Sequence, residues 1–263
     1  MQALTALWQF RGFVLSSVKR EVQAKYRNSL FGFAWMIIQP LSMIIVYTVI
    51  FSQLMRSRLP GVEGTFAYSI YLCAGILTWG LFAEITQRMV NVFVDQANVI
   101  KKLNFPRLCL PLIVILSAGV NFAIILGLFF AFLLLSGNFP GAAALALIPL
   151  LLTQVMFATG LGGILGVFNV FFRDVGQMFG VLIPFWFWFT PIVYPASVLP
   201  EWAAAAMQLN PLLPLMEGYQ GIFVRGSWPD WERIAPTALI SVLLCLYAVL
   251  LFRKHAGDMV DEL

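Results

Sequence analysis

Residues 108–172 form an uninterrupted stretch without aspartate, glutamate, lysine or arginine, and this stretch limits the fold more than any other feature. A helix needs about 20 apolar residues to cross the hydrocarbon core of a bilayer, so the stretch is too long for one crossing and fits two. A Ser-Gly-Asn-Phe-Pro-Gly sequence at 136–141 supplies a turn between them. The stretch therefore predicts two adjacent transmembrane helices, 108–135 and 142–172.

Four further segments lack charged residues and are long enough to be spans: 28–55, 64–83, 175–195 and 234–252. Across the chain, hydrophobic residues make up 61% and charged residues 11%, which lies outside the usual range of soluble domains. The sequence therefore predicts an all-α polytopic membrane protein with six transmembrane helices.

The distribution of lysine and arginine predicts the orientation, because short cytoplasmic loops carry the excess of these residues. If the N-terminus is cytoplasmic, most of the 16 basic residues lie inside, and only Arg56, Arg58, Arg225 and Arg233 lie outside. Both termini and residues 86–107 are therefore predicted to be cytoplasmic.

Residues 1–27 precede the first predicted span and carry apolar side chains at near-helical spacing, including Leu15, Val18 and Val22. Basic residues occupy much of the remaining surface. This pattern predicts a cytoplasmic amphipathic helix that lies in the membrane interface.

The segment between the last two predicted spans, 201–233, is unusual for an outer loop. Its parts 203–209 and 212–223 are too apolar for a plain loop and too short to cross, and Asn210, Pro211 and Pro214 divide them. They predict two re-entrant half-helices in the outer leaflet, a shape that is tolerated where protein shields the backbone. A helical hairpin on the outer surface, without a gating role, fits the pattern equally well.

Residues 86–107 form the longest polar insert between two apolar segments. Val90, Phe93, Val94, Ala97 and Ile100 recur at spacings of three and four residues, which predicts a helix with one apolar face that ends before Pro106. The segment is interpreted either as a solvated connection between spans or as a docking helix for a partner protein.

Motifs for catalysis or nucleotide binding do not occur in the sequence. There is no G-x-x-x-x-G-K-[ST] phosphate-binding loop, no H-E-x-x-H or C-x-x-C motif, and only one histidine. The predicted spans are almost empty of ionisable side chains, which argues against proton-coupled transport. We therefore predict no catalytic residue, no metal site and no nucleic-acid-binding surface.

Five consecutive aromatic residues, FWFWF at 185–189, lie near the end of one predicted span. On a helix they cover every face, so they are either packing and lipid-facing residues or the lining of a path for sugar rings. Gly162 and Gly166, in G-x-x-x-G spacing, predict close packing between helices.

Five short motifs stand in an order and spacing typical of one family: KYRNSLFGFAW at 25–35 followed by Pro40, FPR at 105–107, FRD at 172–174, TPIVY at 190–194 and LNPL at 209–212. Together they cover nearly the whole chain. The sequence resembles the permeases of type-two ABC exporters, in particular the polysaccharide-exporting branch with the Wzm-type O-antigen permeases. One departure is Arg20-Glu21, where relatives often have Arg-Asp and the charge is kept.

The resemblance implies a homodimer in the bacterial inner membrane that exports a polysaccharide linked to a polyprenyl diphosphate. Two separate ATP-binding-cassette subunits would use ATP and Mg²⁺, so no cofactor is expected on this chain, and residues 201–233 would close the outer mouth. The residues that it implies are Asp95, Gln96, Asn98, Lys101, Arg173 and Asp174 for coupling to the ATPase; Lys25, Arg27 and Arg88 for the lipid diphosphate; and Trp35, Trp186, Trp188 and Tyr194 for the glycan path.

Alternatives from other classes remain. A membrane-embedded transferase acting on lipid-linked sugar requires a catalytic carboxylate or histidine at an interface, for which Glu84 and Glu201 are the candidates. A passive channel or scaffold requires no ATPase. Within the exporters, a drug or small-lipid exporter of the same superfamily is the rival interpretation.

Overall fold

The computed structural model describes residues 10–26, 31–50, 66–102, 106–196 and 199–263. Within these ranges the regular structure is entirely helical, which confirms the predicted all-α class. The α-helices are α1 (Arg11–Tyr26), α2 (Trp35–Thr48), α3 (Ala67–Asp95), α4 (Ala97–Lys102), α5 (Cys109–Leu135), α6 (Leu147–Phe171), α7 (Asp174–Trp188), α8 (Glu201–Met207), α9 (Leu213–Arg225), α10 (Trp231–His255) and α11 (Asp258–Glu262).

Four of the described helices are long and apolar enough to cross a membrane: α3, α5, α10, and α6 together with the 3-10 turn Gly141–Ala146 before it. The predicted span 175–195 corresponds to a shorter helix, α7 with 15 residues. Of the predicted span 28–55, the structure describes residues 31–50, which include α2 with 14 residues, and the other positions lie outside the described residues. A helix of that length extends roughly 22 Å, less than the hydrocarbon thickness of about 30 Å. Four crossings are therefore supported, and six remain a prediction.

The helix predicted at 175–195 is too long, because α7 ends at Trp188. Thr190 precedes Pro191, and a residue before proline is disfavoured in the helical conformation. Pro191 also lacks the N–H that would continue the hydrogen-bond ladder. The TPIVY motif consequently follows the helix as irregular backbone.

The single helix predicted within 86–107 is also wrong, because the segment is divided at Gln96. Its first part continues α3, which begins in the predicted span 64–83 and runs without a break to Asp95. A straight continuation would carry Ile100 roughly 10 Å further along the axis than Phe93. The bend turns α4 back against the bundle, where the side chain of Ile100 is buried.

Helix α6 lies at the centre, in contact with α3 on one side and α10 on the other. A Cβ atom on Gly162 would lie 2.6 Å from Cβ of Met89, and one on Gly166 would lie 2.6 Å from the carbonyl oxygen of Met89. On the other side, a Cβ atom on Gly160 would lie 2.7 Å from the backbone nitrogen of Cys245. These distances confirm the prediction that glycines allow close helix packing.

The structure describes part of the helix predicted over residues 1–27: residues 11–26 form α1, which packs against the start of α5. Residues 1–9 and 27 lie outside the described residues. Val14 and Val18, one helical turn apart, are buried together with Cys109 and Ile113. Leu15, which was predicted to belong to the apolar face, is 62% exposed. The face of α1 that contacts α5 therefore contains Val14 and Val18 and not Leu15. The position of α1 in the membrane interface stays a prediction.

Residues 201–233 contain two helices of unequal burial. Helix α8 has no buried residue, and Trp202 on it is 77% exposed. Helix α9 contacts α3, α6 and α10, and its residue Tyr219 is completely buried. The two predicted helices therefore exist, but only α9 belongs to the core, and their re-entry into the membrane stays a prediction.

Candidate coupling surface and translocation residues

The residues predicted to couple the chain to an ATPase lie where α3 gives way to α4. Asp95, Asn98 and Lys101 are exposed, and Gln96 is half-buried at the bend. The bend is closed by a hydrogen bond from the backbone N–H of Ile100 to the carbonyl of Gln96 at 3.0 Å. We name this end of the bundle the coupling end. Its polar side chains are accessible to a partner without any unfolding.

Asn169, near the end of α6, fixes the turn between α6 and α7 beside α3. Its side-chain amide donates to the carbonyl of Val90 at 3.0 Å, and its side-chain oxygen accepts from the backbone N–H of Gly176 at 2.8 Å. Arg173 and Asp174 in this turn are exposed. Val90 is five residues from the end of α3, roughly 8 Å along the axis. The structure thus brings the FRD turn close to the coupling end.

A further part of the coupling end was not predicted from the sequence. Helix α11 contacts both α4 and α6, and Met259 on it is buried. The guanidinium of Arg107, in the FPR motif, donates to the carbonyl of Ala256 just before α11. Nδ1 of His255 lies 3.2 Å from the carboxylate of Asp258. The adjacent apolar residues Met259 and Val260, which lie between Asp258 and Asp261, are the signal that points to this packing.

Arg88, predicted to meet the lipid diphosphate, is held by two carboxylates. Its Nη2 lies 2.6 Å from Oε2 of Glu21 on α1, and its Nη1 lies 3.8 Å from Oε1 of Glu84. The hydroxyl of Ser117 donates to the same Glu21 oxygen at 2.7 Å, and Asn121 donates to Glu84 at 3.0 Å. Since two carboxylates surround one guanidinium, an anionic headgroup has to compete with them for Arg88.

Two cavities flank the ion pair between Glu21 and Arg88. One has a volume of about 400 Å³ and includes Arg20 in its lining. The other has a volume of about 380 Å³ and lies between α1, α2, α3 and α5. The other two residues predicted for the diphosphate are not placed, because Arg27 and the side chain of Lys25 lie outside the described residues.

The four aromatic residues predicted for the glycan path differ in their surroundings. Trp186 is half-buried and packs edge-on against Phe82, with 5.3 Å between the ring centroids. Trp188 is 60% exposed and Trp35 is 41% exposed. Tyr194 is half-buried, and its hydroxyl donates to the carbonyl of Trp188. Trp186 is therefore part of the packed interior, whereas Trp188 and Trp35 present much of their surface outward.

The TPIVY motif is an irregular segment whose carbonyl groups are bound by side chains of α3 and α9. The hydroxyl of Tyr71 lies 3.0 Å from the carbonyl oxygen of Pro191 and 2.9 Å from that of Tyr194. The hydroxyl of Tyr68 donates to a third carbonyl of the segment at 2.7 Å, and Gln220 donates to Pro191 at 3.2 Å. These bonds stabilise non-helical backbone within an apolar bundle, where no water replaces them.

Asn210, in the LNPL motif, joins this segment to the end of α7 and the start of α9. Its side-chain oxygen accepts from Nε1 of Trp186 at 3.0 Å and from the backbone N–H of Leu212 at 3.1 Å. Its amide nitrogen donates to the hydroxyl of Thr190 at 2.9 Å. The TPIVY and LNPL motifs, twenty residues apart in sequence, therefore form one hydrogen-bonded unit at the end of the bundle away from the coupling end.

The two carboxylates of the transferase alternative are not brought together. Glu84 accepts from Asn121 and lies near Arg88, so its carboxylate is already engaged. Glu201 is exposed in the first turn of α8. The structure contains no pair of these groups that would hold a substrate between them.

Most of the chain, including these motifs, matches a known protein family. The profile of ABC-2 type transporters matches residues 13–224, which extends from α1 into α9 and includes all five motifs. The chain belongs to the ABC-2 type transporter family. Members of this family are transporter permease subunits, and this chain is accordingly a multi-pass membrane protein of that kind.

Relatives of this ABC-2 transporter share its length as well as its motifs. The O-antigen export system permease protein RfbA of Myxococcus xanthus is 30% identical over 259 residues, which cover 98% of this chain and 97% of the relative. A protein of the same name from Klebsiella pneumoniae is 29% identical over 236 residues, covering 89% and 88%. The polysialic acid transport protein KpsM of Escherichia coli is 19% identical over 248 residues, covering 92% and 93%. The predicted resemblance to exporter permeases is therefore confirmed.

Several residues that organise this ABC-2 transporter were missed in the sequence. Ser117, Asn169 and Gln220 each lie in an apolar segment, and each makes a hydrogen bond to another helix or to the TPIVY segment. A polar side chain within a membrane span is costly unless it is paired, so its presence predicts a partner. The spacing alone did not indicate which partner, because the bonded groups are far apart in sequence.

Proposed function

We propose that this chain is the membrane-spanning subunit of an ATP-driven exporter that moves a polysaccharide linked to a polyprenyl diphosphate across the bacterial inner membrane. Two copies of the chain form the transmembrane unit. Two separate ATP-binding-cassette subunits bind its cytoplasmic side and hydrolyse ATP with Mg²⁺. Support comes from the family and from relatives named for O-antigen export and polysialic acid transport.

The exposed polar surface at the coupling end is the observation that carries this proposal. Asp95, Asn98 and Lys101 are accessible there, while most of α3 behind them is buried against other helices. With 29 residues, α3 extends roughly 43 Å. A displacement imposed on this surface is transmitted through one rigid helix to Tyr71, which holds the TPIVY segment at the opposite end.

Both termini lie in the cytoplasm in the proposed orientation, and residues 201–233 lie at the outer mouth. Helix α9 packs against the outer half of α3 through Gln220 and Met216, so a shift of α3 changes the packing of this segment. Arg173 and Asp174 form a second contact for the ATPase, because Asn169 fixes their turn beside α3.

The proposed substrate path begins at the inner leaflet, where Lys25, Arg27 and Arg88 meet the diphosphate. Glu21 and Glu84 neutralise Arg88 in the described state, so binding of the diphosphate requires that these ion pairs loosen. The glycan then passes the aromatic residues Trp35, Trp186, Trp188 and Tyr194, whose weakly polar rings contact sugars without trapping them.

The proposal is tested by reconstituting the permease with its ATPase and exchanging two charges at the coupling end, Asp95→Lys with Lys101→Glu. We expect the double variant to lose the ATPase subunit during purification, or to hydrolyse ATP after reconstitution while intact cells that carry the variant display no surface glycan. The matched control is Glu201→Lys, an exposed change of charge on α8, away from the coupling end.

Two results would contradict the proposal. Export of surface glycan in cells that lack the ATPase would identify a passive channel instead. Normal hydrolysis and normal export in the double variant would mean that residues 86–107 only connect two helices, and that the ATPase acts elsewhere.

A further inference from the structure

A cavity of about 180 Å³ lies between the end of α9 and the start of α10. Its wall contains the carboxylate of Glu217, the guanidinium groups of Arg225 and Arg233, the hydroxyl of Ser227 and the indole of Trp228. Hydrogen-bond donors, acceptors and an aromatic ring therefore converge on one concave surface, and the proposed function makes no use of it.

Some of these side chains hold the walls of the cavity together. Nη1 of Arg233 lies 2.7 Å from Oε2 of Glu217, which ties α10 to α9. The hydroxyl of Ser227 donates to the carbonyl of Gly221 at 3.2 Å, and Asp230 caps α10 by accepting from two backbone N–H groups. These bonds hold the walls of the cavity together in the described state.

Arg225 and Trp228 have no such structural role. Among the described residues, the guanidinium of Arg225 has no ion-pair or hydrogen-bond partner, and the indole of Trp228 packs against no other aromatic ring. A Cβ atom on Gly221 would lie 3.4 Å from Nη2 of Arg225, so this glycine leaves the guanidinium room over α9. Trp228 is 58% exposed. The guanidinium of Arg225 and the indole ring of Trp228 are therefore available to bind a ligand.

We propose that this cavity is a saccharide-binding subsite at the outer end of the permease. The indole of Trp228 contacts the C–H face of a pyranose ring, and Arg225 donates to adjacent oxygens of the same sugar. The planar guanidinium suits this task because it donates two parallel hydrogen bonds. This inference rests on the proposed function and deepens it, since it places a resting position for the glycan beyond the membrane path.

The charges of the lining favour a sugar over a phosphate group. Glu217 and Asp230 offset Arg225 and Arg233, so the cavity has no formal net charge. A polyphosphate would be repelled by the two carboxylates, whereas sugar hydroxyls accept from guanidinium groups and donate to carboxylates. The lining suits a pyranose that is neutral or carries a single carboxylate.

The test measures binding of polysaccharide to the complex of permease and ATPase in lipid nanodiscs. The probe is the surface polysaccharide of the same cells, released from its lipid by mild acid and observed by saturation-transfer difference NMR. Arg225→Gln and Trp228→Ala are each expected to weaken binding roughly tenfold, since each removes a principal contact. Trp202→Ala is the matched control, because Trp202 is an exposed tryptophan on α8 outside the cavity, at 77% exposure against 58% for Trp228.

The thermal unfolding midpoint of each variant checks that the helices are intact. Wild-type affinity in both cavity variants, or no binding to the wild-type complex, would overturn the subsite. Glycan export by the wild-type complex is measured separately and tests the proposed function. If the wild-type complex exports glycan and the two variants bind it as the wild type does, the subsite is rejected and the proposed function stands. If the wild-type complex exports no glycan although the ATPase is present, the proposed function is rejected.

Discussion

The two ends of α3 are stabilised in opposite ways. One is the coupling end, and the other, beside the TPIVY segment, is named the outer end after the proposed orientation. At the outer end, carbonyl groups of the TPIVY segment accept hydrogen bonds from Tyr68, Tyr71 and the neighbouring Gln220. Tyr71 and Gln220 are buried. At the coupling end, Asp95 and Asn98 are exposed and have no described side-chain partner. The outer end is stabilised by internal hydrogen bonds, whereas the polar groups of the coupling end are accessible to solvent.

This contrast separates stability from coupling within one helix. Changes at the outer end leave buried backbone groups unpaired, which costs folding free energy. Changes on the exposed coupling surface cost little folding free energy, because water replaces the lost contacts. If the account is right, variants of the outer end lower the unfolding midpoint, and variants of the coupling surface lower export at a normal midpoint.

The largest effect is expected for Gly75→Val, at the outer end of α3. A Cβ atom there would lie 2.9 Å from Cγ2 of Ile192 and 3.0 Å from Nε2 of Gln220. We expect a loss of about 3 kcal/mol in unfolding free energy, seen as a lower thermal midpoint in detergent. Gly80→Val on the same helix is the control, since nothing lies within 4 Å of its Cβ position. Equal midpoints for the two variants would show that the outer end is not tightly packed.

The next effect is expected for Gln220→Leu, which keeps the size of the side chain but removes its amide. Carbonyls of the TPIVY segment lose a donor at 3.2 to 3.4 Å, and burial prevents water from replacing it. We expect a loss of roughly 2 kcal/mol. Gln177→Leu on α7 is exposed and serves as the control. A midpoint as high as that of the control would mean that Tyr68 and Tyr71 hold the segment without a contribution from Gln220.

A smaller effect is expected for Glu21→Gln, which weakens the ion pair between α1 and Arg88. Both side chains are about one third exposed, so solvent screens the interaction and we expect a loss of about 1 kcal/mol or less. Glu232→Gln at the start of α10 is a control outside this cluster. The loss should shrink at high salt, and a loss that is insensitive to salt would argue against an ionic origin.

The smallest effect on stability is expected for the double exchange Asp95→Lys with Lys101→Glu. Both residues are exposed, so we expect the unfolding free energy to change by less than about 0.5 kcal/mol. A strongly lowered midpoint would show that these charges belong to the fold, and the division between the two ends of α3 would fail.

The helices could be predicted more completely than their contacts. Charge-free segments indicated α3, α5, α6 and α10, because apolar content and length are local properties of the sequence. The G-x-x-x-G pair at Gly162 and Gly166 indicated a close packing surface, although not that α3 would occupy it. The ends of helices were predicted less well. Tertiary packing determines the break at Gln96, and the local effect of Pro191 ends the helix at Trp188.

The residues of the candidate site could be predicted better than the contacts between them. Asp95, Asn98 and Lys101 are exposed, and their role in docking a partner stays a prediction. The engagement of Arg88 by Glu21 was not foreseen, because the two residues belong to different helices and no local pattern links them. Pairings of this kind depend on the tertiary arrangement, which a single sequence does not encode in any short spacing.

The central claim is that the coupling end contacts the ATPase, and cysteine crosslinking in membrane vesicles tests it most directly. Cys73 and Cys109 are buried and Cys245 is half-buried, so an introduced exposed cysteine is expected to react first. With benzophenone maleimide, which attaches to the introduced thiol and on irradiation inserts into C–H bonds of a neighbouring chain, Asn98→Cys is predicted to give a covalent adduct of permease and ATPase, and Trp202→Cys is predicted to give none. An adduct from Trp202→Cys alone, or from neither variant in a complex that exports glycan, would contradict the account.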